Sequence, residues 1–298
     1  MKLAERISLI GFKSAWWAGS NLPKSFLVTL FVGLAKIGVA KQPPSFKQLK
    51  FNIAQVLAEP IDSETVAKIS RKSFLNYARY WAEMFSLISV PNEKLHDYID
   101  LQGIELLDAA LARGKGVLVI APHSGNWDLA GAAIAHRHGS LMTVAERLKP
   151  EELFQLFVKS REPRGIEILP HRGGEIPAFD SMLKRLREGG FVALATDRDM
   201  SRSGVEVEFF GNRAKVPSGP ARLFQESGCT VLAVKVFFNG KKTIIDFQPS
   251  LSLTGNIQQD AQIMTTEIER VIKANPDNWF MLQRVFVDRS DKSTGGKE

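Results

Sequence analysis

Gly116-Val117-Leu118-Val119-Ile120-Ala121-Pro122-His123-Ser124-Gly125-Asn126-Trp127-Asp128 is the stretch on which the fold turns. The apolar run Val117 to Ile120, entered after Arg113-Gly114-Lys115-Gly116, predicts a short strand buried on both faces, as in a parallel sheet covered by helices. Gly125 gives the following turn its freedom, and Asn126 is a plausible N-cap for a helix starting there. In open α/β sheets ligands bind in the crevice beyond the carboxyl ends of the strands, and His123 falls in that position.

The same pattern repeats downstream. Leu141 to Val144, Ile166 to Leu169, Phe191 to Ala195 and Val231 to Val234 read as further strands. The stripe Ile176, Phe179, Met182, Leu183 and Leu186, stopped by Gly189-Gly190, reads as a helix between the third and fourth strands. Another helix is expected over 257–274, before the short run Trp279 to Leu282. Strand and helix alternation implies an α/β fold with a mostly parallel central sheet flanked by helices. Residues 113–289 are assigned to this core, and the polar, glycine-containing stretch 290–298 to a disordered tail.

Residues 1–112 read as mostly helical, because apolar positions recur at three- and four-residue spacing. From Asp62 or Ser63 the set Val66, Ile69, Phe74, Tyr77, Trp81, Met84 and Phe85 follows one helix face, and Pro91 closes the segment. The chain's whole formal net charge of +7 lies within residues 1–75, since the remainder is formally neutral. Basic residues there are interleaved with Ile7, Trp16, Trp17, Phe26 and Leu30, a mixture that points to an anionic lipid surface rather than nucleic acid. The most apolar stretch, Phe26 to Ala40, is interrupted by Lys36 and falls short of the roughly 20 apolar residues of a spanning helix. No signal core with a small-residue cleavage site opens the chain. The expectation is a helical, membrane-associating N-terminal region, peripheral on the cytoplasmic side of the inner or plasma membrane.

Composition narrows the chemistry. A chain of 298 residues with 44% apolar and 24% charged positions suits one large domain, with or without a helical extension. The single cysteine, Cys229, sits in an apolar stretch and reads as a small buried hydrophobe. There is no Gly-x-Ser-x-Gly elbow of a serine hydrolase, and Gly114-Lys115-Gly116 precedes its strand where a dinucleotide loop must follow one. His136 and His138 have no nearby cysteine or HExxH pattern, so no metal site is expected.

His123 and Asp128 are five residues apart, about 140° on a common helix, and so meet only if His123 sits in the turn. A carboxylate on one imidazole nitrogen would leave the other as a base near neutral pH. Alternatively His123 merely caps the helix while Asp128 favours its positive end. Asp197-Arg198-Asp199 follows the strand Phe191 to Ala195 and should project into the same crevice, or form a surface ion-pair cluster.

Larger blocks carry a family resemblance. His-x4-Asp at His123 and Asp128 resembles the motif of the glycerolipid acyltransferase superfamily. Ala121 to Asp128, Thr196 to Asp199, Gly204 to Gly211 and Pro217 to Pro220 resemble blocks of the bacterial family that contains lipid A late acyltransferases and phosphatidylinositol mannoside acyltransferases. Asn76 to Glu83, the form Gly-Val-x-Val-x-Phe-Phe-Gly, and Pro276-Asp277-Asn278-Trp279 before Met281-Leu282-Gln283 resemble the mannoside branch.

That resemblance implies acyl transfer from an acyl-CoA donor, with no further cofactor, to a sugar hydroxyl of an anionic membrane glycolipid, most closely the mannose of phosphatidylinositol mannoside. His123 takes the hydroxyl proton, and Asp128, Asp197 or both hold the imidazole. Asp197 stands where Glu is expected and is a methylene shorter, so whether it touches the ring is open. Arg161 with Gly165 matches the family's Arg-x3-Gly, and Arg161 and Arg164 are candidate phosphate ligands. Arg198, Asp199, Asn126, Phe209 and Phe210 complete the candidate substrate-binding set, the two phenylalanines being equally readable as core. Alternatives are a lipid A type late acyltransferase and a catalytically silent lipid-binding protein.

Overall fold

The computed structural model describes residues 3–174, 176–199 and 204–287. Four helices come first: α1 (Leu3–Asn21), α2 (Lys24–Lys41), α3 (Pro44–Leu57) and α4 (Glu64–Leu87). Pro23 and Pro43 stand just before α2 and α3, where a missing N–H costs nothing. Ser63 caps α4 by accepting from the Val66 amide at 3.1 Å. Then follow β1 (Ile99–Gln102), α5 (Ile104–Ala112), β2 (Val117–Ala121), α6 (Trp127–His138), β3 (Leu141–Ala145), α7 (Glu151–Arg161), β4 (Ile166–Pro170), α8 (Ala178–Arg187) and β5 (Phe191–Ala195). A hairpin of β6 (Val205–Phe209) and β7 (Asn212–Val216) leads to α9 (Gly219–Ser227), β8 (Thr230–Asn239), β9 (Lys242–Ser250) and α10 (Ile257–Ala274).

Seven strands form one sheet in the order β1-β9-β8-β2-β5-β3-β4. Every neighbouring pair is parallel except β8 and β9, so the sheet is mostly parallel and β2 lies inside it. The five strands expected from sequence are all present. β1 and β9 were not expected, and β1 corrects the helical reading of residues 1–112. The two-residue turn Gly240-Lys241, with Gly240 at φ 57°, turns β8 back into β9, and among the described residues β1 is a four-residue edge strand paired with β9.

Two cores cover the two faces of the sheet. On one, Leu118, Ile120 and Val192 pack with Leu49 and Ile53 of α3, Val66 of α4 and Ile268 of α10. On the other, Val117, Val119, Phe191 and Val236 pack with Leu129 and Ile134 of α6 and Leu107 of α5. Each such fully buried aliphatic side chain contributes about 1.5–3 kcal/mol. A third cluster joins Leu9 and Trp16 of α1 to Tyr80 and Phe85 of α4 and Phe157 of α7. Cys229 is buried, and burial pushes its thiol above the ordinary value. The stretch 290–298, expected to be a tail, lies outside the described residues.

Candidate active site

Strand β2 delivers the chain to the carboxyl edge of the sheet, and His123 stands in the turn before α6. Asn126 is the N-cap: its Oδ1 accepts from the Leu129 amide at 3.0 Å. Gly125 has φ +59°, and a Cβ there would lie 2.4 Å from the Val236 carbonyl oxygen, so the turn needs glycine twice over. The far end of the chain straps this turn down. The Gly125 amide donates to the Asn278 carbonyl at 3.1 Å, and the Phe280 amide donates to the His123 carbonyl at 2.9 Å.

Strand register brings the partner of His123 from β5. Ala121 pairs with Ala195, so residues two beyond each strand end, His123 and Asp197, lie side by side. His123 Nδ1 is 2.6 Å from Asp197 Oδ1, and Asp197 Oδ2 accepts from the His123 amide at 2.9 Å. The missing methylene is therefore no obstacle, since the backbone register makes up the reach. Trp279, fully buried, donates its indole N–H to Asp197 Oδ2 at 2.7 Å. Burial alone would pull the imidazole down, but the Asp197 charge and hydrogen bond win and hold it above its ordinary value, with Arg198 opposing. Burial would likewise raise Asp197, yet the His123 charge, the ring, the indole and the amide keep it below the usual carboxylate range. Asp197 is shut from solvent, whereas 38% of the His123 side chain is open on its cavity side. With Nδ1 engaged, Nε2 is the ring nitrogen left for a substrate.

Asp128 faces elsewhere, which corrects the expectation that it holds the ring, alone or with Asp197. Tyr80 donates to Asp128 Oδ2 at 2.7 Å, and Arg161 clamps both carboxylate oxygens through Nε and Nη2. Arg161 is thus committed to a buried carboxylate before any phosphate arrives. Arg164 is buried, donating to Asn92 and to the Leu87 carbonyl, and does not line the site. Asn126 is also buried, with Nδ2 donating to Glu83 Oε2 at 2.9 Å. It is a cap and not a substrate ligand.

Phe209 and Phe210 resolve as core. They sit behind Trp279, with ring centroids 6.1 Å from it, in the first group of core residues. Phe210 and Gly211 form a two-residue hairpin turn with both φ positive, 52° and 71°. Such a φ is costly for a phenylalanine, by about 1–3 kcal/mol. Its burial against Trp279 and the 2.6 Å bond from its amide to Glu269 Oε1 offset that cost. Arg198 and Asp199 do reach the site, and Arg198 Nη2 lies 4.0 Å from Glu146 Oε2.

A cavity of about 1000 Å³ opens at His123. One branch runs between α6 and the sheet, the full length of β3, β4 and β5. Its walls include Thr143 and Leu141 of β3, Ile166 of β4, Phe191 of β5 and Val236 of β8. Five-residue strands rise about 13 Å end to end. The tunnel exists because α6 presents Ala130 and Gly131 to the sheet, where larger side chains would fill the space. Tyr77, Trp81, Trp127 and Phe280 line the mouth on the side of α4.

Sequence reasoning missed Tyr80, Glu83 and Trp279 as parts of the site. All three lie in blocks singled out only as branch markers, and polar or aromatic residues inside a helix face were the available signal. Glu83 is a buried hub, taking Asn126 on one oxygen and Arg79 at 2.9 Å and Lys24 at 3.5 Å on the other. Among the described residues no group of three or more His, Cys, Asp or Glu is arranged to hold a metal ion.

Residues 7–287 match the family described as bacterial lipid A biosynthesis acyltransferase. A phosphatidylinositol mannoside acyltransferase of Mycobacterium tuberculosis is 38% identical over 275 residues, 91% of this chain and 86% of that protein. One from Mycolicibacterium smegmatis is 34% identical over 292 residues, 97% and 95% of the two chains. A lipid A biosynthesis acyltransferase of Haemophilus influenzae is 24% identical over 193 residues, 63% and 59% of the two chains.

Proposed function

The chain belongs to the bacterial lipid A biosynthesis acyltransferase family and is an acyltransferase, and from that premise we propose that it moves a long-chain acyl group from acyl-CoA to a mannose hydroxyl of phosphatidylinositol mannoside. The observation that carries the chemistry is the His123–Asp197 pair at the mouth of an apolar tunnel. The tunnel takes the acyl chain and leaves the thioester carbonyl beside Nε2. The acceptor hydroxyl gives its proton to Nε2 as its oxygen attacks the carbonyl carbon. The tetrahedral adduct then expels the thiolate, which takes the same proton back from the imidazolium. Asp197 fixes the tautomer and stabilises the positive ring between the two transfers, a contribution of about 10²–10⁴-fold. No metal and no acyl-enzyme enter this scheme.

Support for the mannoside acceptor is the identity to two mannoside acyltransferases, higher and over more of the chain than to the lipid A protein. Acyltransferase membership sets the silent lipid-binding alternative aside. For the membrane, no single helix among the described residues is long and apolar enough to cross one. Instead α1 and α2 expose Ile7, Ile10, Trp17, Phe26, Leu30 and Leu34 beside the basic residues of the N-terminal region. We read this as a surface that lies on the anionic inner leaflet.

The test is His123→Ala in purified, folded protein, with palmitoyl-CoA and a phosphatidylinositol dimannoside. Transfer should fall to background with the melting temperature kept. More than about a tenth of the wild-type rate in that variant would remove His123 from the base role.

A further inference from the structure

Neither of the two arginines marked out for an anion is free to receive one, because Arg161 is clamped on Asp128 and Arg164 is buried against Asn92 and Leu87. The cavity nevertheless has a second branch. At the carboxyl edge, β3 and β5 give it residues from both faces: Thr143 and Ala193 on the tunnel side, Val144 and Leu194 on the other. Adjacent residues of a strand point to opposite faces. The cavity therefore wraps around the strand ends into a space on the far face, floored by Phe179 of α8.

Arginines from three elements line this branch: Arg172 just past β4, Arg198 just past β5, and Arg222 in the first turns of α9. Strand order β5-β3-β4 sets the first two on strand ends either side of β3, and Glu146, just past β3, lies 4.0 Å from Arg198. Arg222 lies over the Phe179 ring, 4.3 Å from its centroid, with Nη2 3.2 Å from Glu226. That leaves the rest of its fork unused by this carboxylate. Arg172 is exposed and makes no ion pair among the described residues. Glu146 and Asp199 line the same edge.

We propose that this second branch binds a phosphate ester flanked by hydroxyls, carried by one of the two substrates, with Arg172 and Arg222 as phosphate ligands. The proposal rests on the acyl-transfer reading above. Planar guanidinium forks match phosphate oxygens, and carboxylates beside them accept hydrogen bonds from hydroxyls. The group fits either the ribose phosphate of acyl-CoA or the inositol phosphate of the acceptor. In both cases the branch anchors a polar end while His123 meets the reacting atoms.

The experiment uses the full chain and the variants Arg172→Ala, Arg222→Ala and the double change. With the melting temperature kept, each single change should raise the KM for one substrate on the order of tenfold, with kcat held, as expected of a lost charge-assisted contact. Repeating the assay with acyl-pantetheine, or with methyl mannoside as acceptor, identifies the source. The penalty disappears with the phosphate-free analogue of the substrate that the branch binds. Unchanged KM for both substrates, or a penalty that survives both analogues, overturns the proposal. Calorimetry with inorganic pyrophosphate is independent of turnover: wild type should bind it and the double variant should not. A wild-type protein that binds pyrophosphate but transfers no acyl group would sink the acyl-transfer reading and not the branch. Absence of pyrophosphate binding in wild type would sink the branch itself.

Discussion

Replacing Asp197 by Asn separates the roles of charge and geometry in the site. Asp197 Oδ2 accepts from two groups that only donate, the His123 amide and the Trp279 indole. An amide placed there must keep its oxygen at that position, which turns its NH2 toward Nδ1 of His123. Nδ1 then has to be the unprotonated nitrogen, the proton moves to Nε2, and the base that faces the acceptor is gone. Loss of a positioned base costs about 10²–10⁴ in rate, or about 2.7–5.5 kcal/mol. The pH profile moves as well. In the wild type kcat/KM climbs as His123 deprotonates through a value above the ordinary imidazole one; without Asp197, burial acts unopposed and the acid limb moves to lower pH. Stability follows the same pair. The raised His123 contributes below its ordinary pKa and loses that contribution as pH rises through the folded value. The depressed Asp197 contributes above its ordinary pKa and loses it as pH falls through its own folded value. The melting difference between wild type and variant should therefore be greatest at about pH 4–6.5 and shrink on the alkaline side. Steady-state kinetics from pH 5 to 9 with thermal melts decides it. A variant keeping more than a tenth of the activity, with an unmoved acid limb, would refute the reasoning.

Asp128→Asn should act on stability and leave the imidazole alone: it strands the partly buried Arg161 charge, which lowers the melting temperature, while the acid limb of any residual activity stays in place. Gly131→Leu should shift the donor preference toward shorter acyl-CoAs, because a Cβ at this position already meets Ile166 at 3.3 Å and the longer side chain extends into the tunnel; an unchanged chain-length profile would show that the chain does not bind there. Vesicle binding should weaken with salt and with loss of anionic lipid, each basic residue near the surface being worth about 1 kcal/mol. Equal binding to neutral and anionic vesicles would leave only the apolar part of that surface in play.

Much of this was legible in residues 113–287. Apolar runs give five of the strands, and α10 begins at Ile257 and ends at Ala274 as its periodicity and caps require. The partner of His123 was harder to read, since a short motif favours the carboxylate nearest in sequence. Sheet register decides otherwise, because β2 and β5 are parallel neighbours with no offset at their ends. Asp128 and Arg161 find each other instead across α6 and α7. The tunnel was unreadable for a different reason: alanine and glycine on α6 look like ordinary close packing until the opposite wall is seen to stand back.

The strap that holds the His123 turn has a consequence for how the protein is made. Residues 123 and 125 close onto 278 and 280, Asn52 donates to the carbonyls of Met281 and Gln283, and Ser73 to that of Trp279. A ribosome emits these partners after every strand of the sheet and after α10. Through most of synthesis α3, α4 and the β2–α6 turn wait with their polar groups unmatched, and contacts this distant in sequence form slowly. The His123 turn is therefore completed late, when the segment around Trp279 leaves the exit tunnel and slots between α4 and the sheet. Nascent chains cut off shortly before Pro276 would be long enough to hold the sheet strands and α10 but would have neither the indole on Asp197 nor the backbone anchor beneath His123.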